Sequence, residues 1–399
     1  MGRLEEILNS GKTIFLSGPY GTEVMRRFGL DITKNQQALR NVPTNYHLGA
    51  DGSALLTPQG REYLRQIALD YLDSVPSEET MVLVTPSFRL SYPNLHAASL
   101  EKAFNSALAG MGLDLCLDSI NACKDALQQS KRHHENTFLS MTIGPPFDCY
   151  RGEDTPIDVD NRYLPQTFAA VRFGKEVDYI MFETVPSLKG ALGAAKAFKT
   201  AHESLNISER IKYRQKAETV EYLGNTLDVS LRNKFNTDLV CPSYDIKSHT
   251  FSAIHPSKGY LIYFCVDEDG NLTEKDEHDK IVKIPFEDAV YQLYEKIDRQ
   301  RLYSPIGIGI SCNSPQLTGE VLGSLSSGTV KKIVGIHPNA SSERNPKKYG
   351  ELKKLQAIPA GEYVKLVSAI TRGFNINIVG GCCATNQYTL KKLVHTLKS

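Results

Sequence analysis

Two adjacent cysteines, Cys382 and Cys383, follow Gly380-Gly381 at the end of the apolar run Ile376-Asn377-Ile378-Val379. Neighbouring residues on a strand point to opposite faces, so only a turn aims both sulfurs at one point. The two glycines permit the backbone geometry of such a turn. Thr385 reads as an N-cap, and Leu390, Leu393, Val394 and Leu397 recur at the spacing of one helical face. A helix N-terminus just beyond the pair favours thiolate over thiol. Two thiolates side by side repel, and a soft divalent metal resolves that conflict. Two other readings remain open on these residues: a pair of small buried side chains, and a vicinal dithiol that cycles with oxidant, although bridged neighbours form a strained ring.

The elements that would position these thiols are apolar runs separated by helical stretches. Thr13–Leu16, Met81–Thr85, Thr137–Ile143, Tyr179–Phe182, Tyr260–Val266, Ile306–Ile310, Lys332–Ile336 and Ile376–Val379 read as eight strands. Helical patterns lie between most of them, as over Phe168–Gly174, Leu188–Phe198 and Phe286–Ile297. Eight strands alternating with helices predict an α/β fold, a (β/α)8 TIM-type barrel, in preference to two doubly wound halves. The expected organisation is one domain over residues 1–399, with a peripheral insertion at 202–258 between the fourth helix and the fifth strand. A helix is read within that insertion around Ile207–Tyr222. A loop from helix to strand leaves a barrel on the face away from the chemistry, so the insertion is expected as a decoration or a protein-contact surface. The charged stretch Asp267–Lys283 instead follows the fifth strand, where it would form a lid or a solvated loop at the catalytic rim.

In a barrel, the residues just past each strand converge on one mouth. Those positions hold Ser17, Thr22 and Glu23, then Ser87 and Phe88, then Glu183 and Thr184. Cys312 and Asn313, then His337, Pro338 and Asn339, then Cys382 and Cys383 complete the rim. Three thiols thus reach one rim from two strands. Three thiolates hold zinc and leave one tetrahedral position open, as a catalytic site requires. A substrate thiol suits that position, because the metal lowers its pKa and makes it a nucleophile for carbon. Glu183 offers a carboxylate to a cationic amine on the same substrate. Cys116, Cys123, Cys149, Cys241 and Cys265 read as core or incidental thiols, and His337 as a support to the site. Tyr20, Phe88 and Phe147 are the aromatic rings placed to meet a methyl sulfonium, with ordinary packing as the competing reading.

These residues carry a resemblance. The chain resembles the homocysteine S-methyltransferase family, zinc (β/α)8 barrels that methylate the homocysteine sulfur. Gly380-Gly381-Cys382-Cys383 is similar to the family's glycine–cysteine signature with two zinc ligands, and Gly309-Ile310-Ser311-Cys312-Asn313-Ser314-Pro315 to the segment with the third. Glu183-Thr184-Val185-Pro186 resembles the stretch whose glutamate binds the homocysteine amine. Ile143-Gly144-Pro145 and Pro338-Asn339 match less specifically. The resemblance implies zinc at Cys312, Cys382 and Cys383, and substrate contacts from Glu183, Ser17, Thr184 and Asn339. Ser17 is a departure, because the family usually begins its first-strand motif with Asp; one of two charged contacts to the acceptor amine is thereby lost. Little chain follows the last helix, which points to a small sulfonium donor, S-methylmethionine or S-adenosylmethionine, and to methionine as product. A zinc-binding pseudoenzyme or regulatory protein of the same fold is the alternative.

Composition narrows the partners. A net charge of +1 with 41% hydrophobic residues describes a soluble globular chain and argues against nucleic-acid or membrane partners. No apolar run approaches the length of a membrane span. Eight cysteines without a secretory leader suggest reduced thiols and a cytoplasmic location.

Overall fold

Strand β1 (Ile14–Leu16) opens a closed parallel barrel that continues through β2 (Thr80–Val84), β3 (Thr137–Ile143) and β4 (Tyr179–Val185). Two short strands, β5 (Thr219–Tyr222) and β6 (Asn225–Asp228), form a separate antiparallel hairpin before the barrel resumes with β7 (Tyr260–Phe264). A second hairpin, β8 (Asn271–Lys275) with β9 (Ile281–Pro285), precedes the last three barrel strands. These are β10 (Gly307–Ser311), β11 (Ile333–His337) and β12 (Ile378–Val379), and β12 closes the ring against β1. The computed structural model describes residues 3–28, 48–91, 94, 112–132, 134–172, 177–206, 219–222, 225–228, 259–342 and 357–399.

All eight predicted barrel strands are present. Most are buried along their whole length, because helices cover the outside and side chains fill the inside. Phe182 meets Tyr163 of the helix Val159–Arg172 edge-on at 5.4 Å, and Phe264 meets Phe286 of the helix Phe286–Arg299 at 5.6 Å. These contacts turn Phe182 and Phe264 outward, and strand alternation then turns Glu183 and Tyr263 inward.

The inward ring of Tyr263 lies across two neighbouring strands. A Cβ at Gly309 would stand 2.4 Å from that ring, and one at Gly335 would stand 1.9 Å from its hydroxyl oxygen. The close approach expected of the β10 glycines is therefore an aromatic side chain spanning β10 and β11. Burial keeps the Tyr263 phenol protonated.

Three expectations change. Thr219–Tyr222, read as the end of a helix, pairs antiparallel with Asn225–Asp228; its β-branched and aromatic residues suit a strand. The remainder of that reading, Ile207 to Ala217 and Glu218, lies outside the described residues, as do Cys241 and most of the 202–258 insertion. Asn386, not Thr385, caps the final helix Gln387–Lys398, accepting from Thr389 N–H at 3.0 Å. The stretch after β7 is neither a free lid nor a solvated loop. Thr273 N–H donates to the Pro186 carbonyl at 3.3 Å, and Lys189 N–H donates to Glu274 at 2.9 Å. Thr273 Oγ1 also donates to Glu153 at 3.1 Å, so β8 is tied across the loops that follow β3 and β4.

Candidate metal and substrate site

Cys312, Cys382 and Cys383 come together at the mouth, with their sulfurs within 4.8 Å of one another. Cys312 and Cys382 are 2.6 Å apart, and Cys382 and Cys383 are 3.9 Å apart. A tetrahedral centre with metal–sulfur bonds of about 2.3 Å sets its sulfurs about 3.8 Å apart. The Cys382–Cys383 spacing meets that requirement, and Cys312 meets it after moving outward by roughly 1 Å. The donor set fits a soft divalent ion, with the fourth position left to a ligand.

The three sulfurs hold protons unequally. Cys383 is kept well below the ordinary thiol range because the Cys312 and Cys382 thiols donate to it. Cys382 is pushed up by its hydrogen bonds to Cys312 and Cys383, and Cys312 by burial. The arrangement favours the thiolate form at Cys383, which suits metal capture.

Backbone strain and hydrogen bonds fix this corner. Thr184 and Cys312 both adopt φ of 58°, and Ala384 adopts 63°. Left-handed backbone at a β-branched residue is an outlier costing about 1–3 kcal/mol, and such costs cluster where function requires a set geometry. Thr184 N–H donates to Ser311 Oγ at 3.1 Å, and its hydroxyl donates to Cys312 Sγ at 3.2 Å. Asn339 Nδ2 donates to the Cys312 carbonyl at 2.6 Å, while its Oδ1 is buried without a hydrogen-bond partner. Asn313 grips the Val266 backbone through both ends of its amide, at 3.1 and 2.8 Å. Cys382 N–H donates to the Pro338 carbonyl at 2.7 Å, and Thr385 Oγ1 lies 2.7 Å from the Gly381 and Cys382 carbonyls.

Glu183 stands beside the thiols, with Oε1 4.0 Å from Cys382 Sγ. The same oxygen is 2.6 Å from His337 Nδ1, and both side chains are buried. His337 Nε2 is buried without a hydrogen-bond partner. His337 therefore orients the carboxylate, a supporting place beside the thiols. Glu183, His337 and Cys382 form a second overlapping group able to hold a metal ion.

The other rim positions divide. The Ser17 hydroxyl accepts from Val84 N–H at 3.0 Å and is fully buried, so it ties β1 to β2. Glu23 is occupied by Arg26 and Arg27, each at 2.8 Å. Ser87 Oγ donates to the Thr142 carbonyl at 2.6 Å. Phe88 packs against the thiols, whereas Tyr20 packs on Tyr71 and places its hydroxyl 3.4 Å from Cys123. Phe147 packs against the main core.

Sequence reasoning missed Cys149, Tyr150 and Cys265, which pack directly around Cys312 and Cys382. Cys265 immediately follows β7, the same strand-end signal that marks Cys312 after β10. Burial pushes Cys149 and Cys265 upward, so both stay neutral and form a soft wall beside the thiolate.

A closed parallel barrel with three thiols and a carboxylate at its mouth defines a thiol-dependent barrel enzyme class. The sequence model of the family described as homocysteine S-methyltransferase matches residues 14–238 and 247–397. The chain belongs to that family, a class of enzymes that methylate the thiol of homocysteine. Among solved structures it is similar to the metallated form of the homocysteine methyltransferase MmuM from Escherichia coli, with a TM-score of 0.59 and 16% identity, covering 99% of this chain and 100% of that one. The oxidised form of the same protein aligns with a TM-score of 0.58 and 15% identity over 100% of both chains. The apo form gives 0.55 and 14% over 98% of each. No curated protein matches the sequence. Among the described residues, no helix is long and apolar enough to cross a membrane.

Proposed function

We propose that the protein transfers a methyl group from a sulfonium donor, S-methylmethionine or S-adenosylmethionine, to the thiol of homocysteine, giving methionine. Cys312, Cys382 and Cys383 hold a zinc ion for this reaction. One observation carries the reading: three thiols from two strand ends converge with Glu183 at 4.0 Å from Cys382. Bound zinc supplies an acidified acceptor thiol at neutral pH.

The chain's own residues do the positioning. Glu183, oriented by His337 at 2.6 Å, receives the acceptor ammonium and aims its sulfur. Thr184 donates to Cys312 and tempers the charge on that sulfur. Asn339 orients Cys312 through its carbonyl. Phe88 and Tyr150, which pack beside the thiols, are the aromatic rings nearest to hand for the donor's positive sulfur. As the new sulfur–carbon bond forms, the donor's methyl–sulfur bond breaks, and its electron pair leaves with a neutral thioether.

The test is metal analysis of the purified protein followed by a matrix of sulfonium donors against thiol acceptors. Stoichiometric zinc and methionine formation from one of the two donors are the expected results. Zinc-replete protein that methylates homocysteine from neither donor rejects the proposal.

A further inference from the structure

Cys382 belongs to two groups of metal-binding atoms at once. One is the set of three thiols. The other is Glu183, His337 and Cys382, whose ligand atoms also lie within 4.8 Å of one another. This second group offers a carboxylate oxygen, an imidazole nitrogen and a sulfur, each an ordinary donor to zinc, and all three residues are buried. The two groups share only Cys382, so one thiolate stands between two cation positions.

The distances suit an ion after small movements. Glu183 Oε1 lies 4.0 Å from Cys382 Sγ and 2.6 Å from His337 Nδ1. Tetrahedral zinc, with bonds of about 2.3 Å to sulfur and about 2.0–2.1 Å to oxygen and nitrogen, sets those pairs roughly 3.5 and 3.3 Å apart. The oxygen must close on the sulfur by about 0.5 Å, and the imidazole must draw back from the oxygen by about 0.7 Å. His337 can turn that far, because its Nε2 has no hydrogen-bond partner to lose. Gly380 leaves space beside the ring, since a Cβ there would stand 3.2 Å from Cδ2. Charge points the same way. Three thiolates and one carboxylate balance two divalent cations, whereas one cation leaves negative charge uncompensated in a buried cluster, at a cost.

We propose that the mouth takes a second, more weakly held zinc ion between Glu183, His337 and Cys382, joined to the first through the Cys382 thiolate. The ion replaces the proton that Glu183 and His337 share, and that proton passes to solvent. It also occupies the carboxylate that receives the acceptor's ammonium, so the doubly loaded protein is closed to acceptor. The second site stands on geometry alone; only the closure rests on the proposed function.

The experiment offers zinc chloride to full-length protein that already carries one zinc. Calorimetry, and elemental analysis after dialysis against buffered free zinc, should give two ions per chain with the second bound more weakly. X-ray absorption of the doubly loaded protein should add nitrogen and oxygen neighbours to the sulfur shell, with a zinc–zinc distance of about 3.5–4 Å. Glu183→Gln keeps a hydrogen bond to His337 but gives up the carboxylate, and should weaken the second ion by about tenfold or more while the first stays. His337→Phe removes the nitrogen and should do the same, which keeps the test open should either variant not fold. One ion per chain at every free zinc concentration overturns the site. So does a second ion that neither substitution weakens, which is an adventitious ion only. With free zinc held by a chelator, methyl transfer should fall as the second ion binds and recover as homocysteine is raised. Transfer that continues unchanged with both positions filled overturns the closure. A protein that takes two ions and methylates nothing defeats the proposed reaction and leaves the second site standing.

Discussion

At the β10–β12 side of the mouth, the functional atoms come from residues at strand ends or directly beyond them: Cys312 after β10, His337 closing β11, Cys382 shortly after β12. At the β1 side the strand end is given over to structure, with Ser17 bonded to Val84 N–H. The first corner is strained, with left-handed backbone at Cys312 and Ala384, and Thr184 of β4, bonded to Cys312, shares that backbone geometry. The second carries its left-handed backbone at a glycine, Gly49 with φ of 69°, where no side chain is strained. A metal centre tolerates little error in ligand position, and strand ends bound into a closed barrel provide that rigidity.

Breaking the thiol corner should have the largest effect. Cys382→Ser combined with Cys383→Ser should reduce bound zinc to near zero and abolish methyl transfer, whereas Cys116→Ala, at a thiol packed in the main core apart from the thiol cluster, should retain the metal. Full zinc occupancy in the double variant, measured by elemental analysis, would falsify the thiol assignment. Glu183→Gln comes next: the KM for homocysteine should rise tenfold or more, from the loss of about 1.5–3 kcal/mol, with zinc unchanged. An unaltered KM would move Glu183 from substrate binding to structure.

Smaller effects sharpen the contrast between rigid and adaptable sides. Thr184→Val removes the hydroxyl that donates to Cys312 and should weaken zinc binding by about 10–100-fold. Competition with a chromophoric chelator measures this, and equal affinity would show that the hydrogen bond does not tune the sulfur. Ser17→Ala should cost about 1–3 kcal/mol of stability through the unpaired, buried Val84 amide. Denaturant unfolding that matches the parent would remove the β1–β2 tie from the account.

The barrel was readable because strands buried on both faces leave uninterrupted apolar runs, and all eight appear within a few residues of their expected places. Cys312, Cys382 and Cys383 were readable for a related reason: strand ends define the mouth, so a side chain's direction follows from its position in the chain. Cys265 carried the same signal, but the fifth strand was drawn through Val266, which hid the thiol inside it. Thr219–Tyr222 falls at the end of the stretch read as a helix, although Thr, Val and Tyr favour a strand there.

The ring of Tyr263 gives a few codons unusual weight. In a saturation library selected for folded protein, Gly309 and Gly335 should tolerate no replacement, since even alanine would collide with that tyrosine. Gly361 and Gly373 have no atom within 4 Å of where a Cβ would stand, and should drift freely. A double change that shortens Tyr263 should rescue Gly309→Ala where no other partner does. The interior tyrosine would thus leave a record in sequence variation: paired constraint at three positions on β7, β10 and β11, visible in surviving clones without any assay of catalysis.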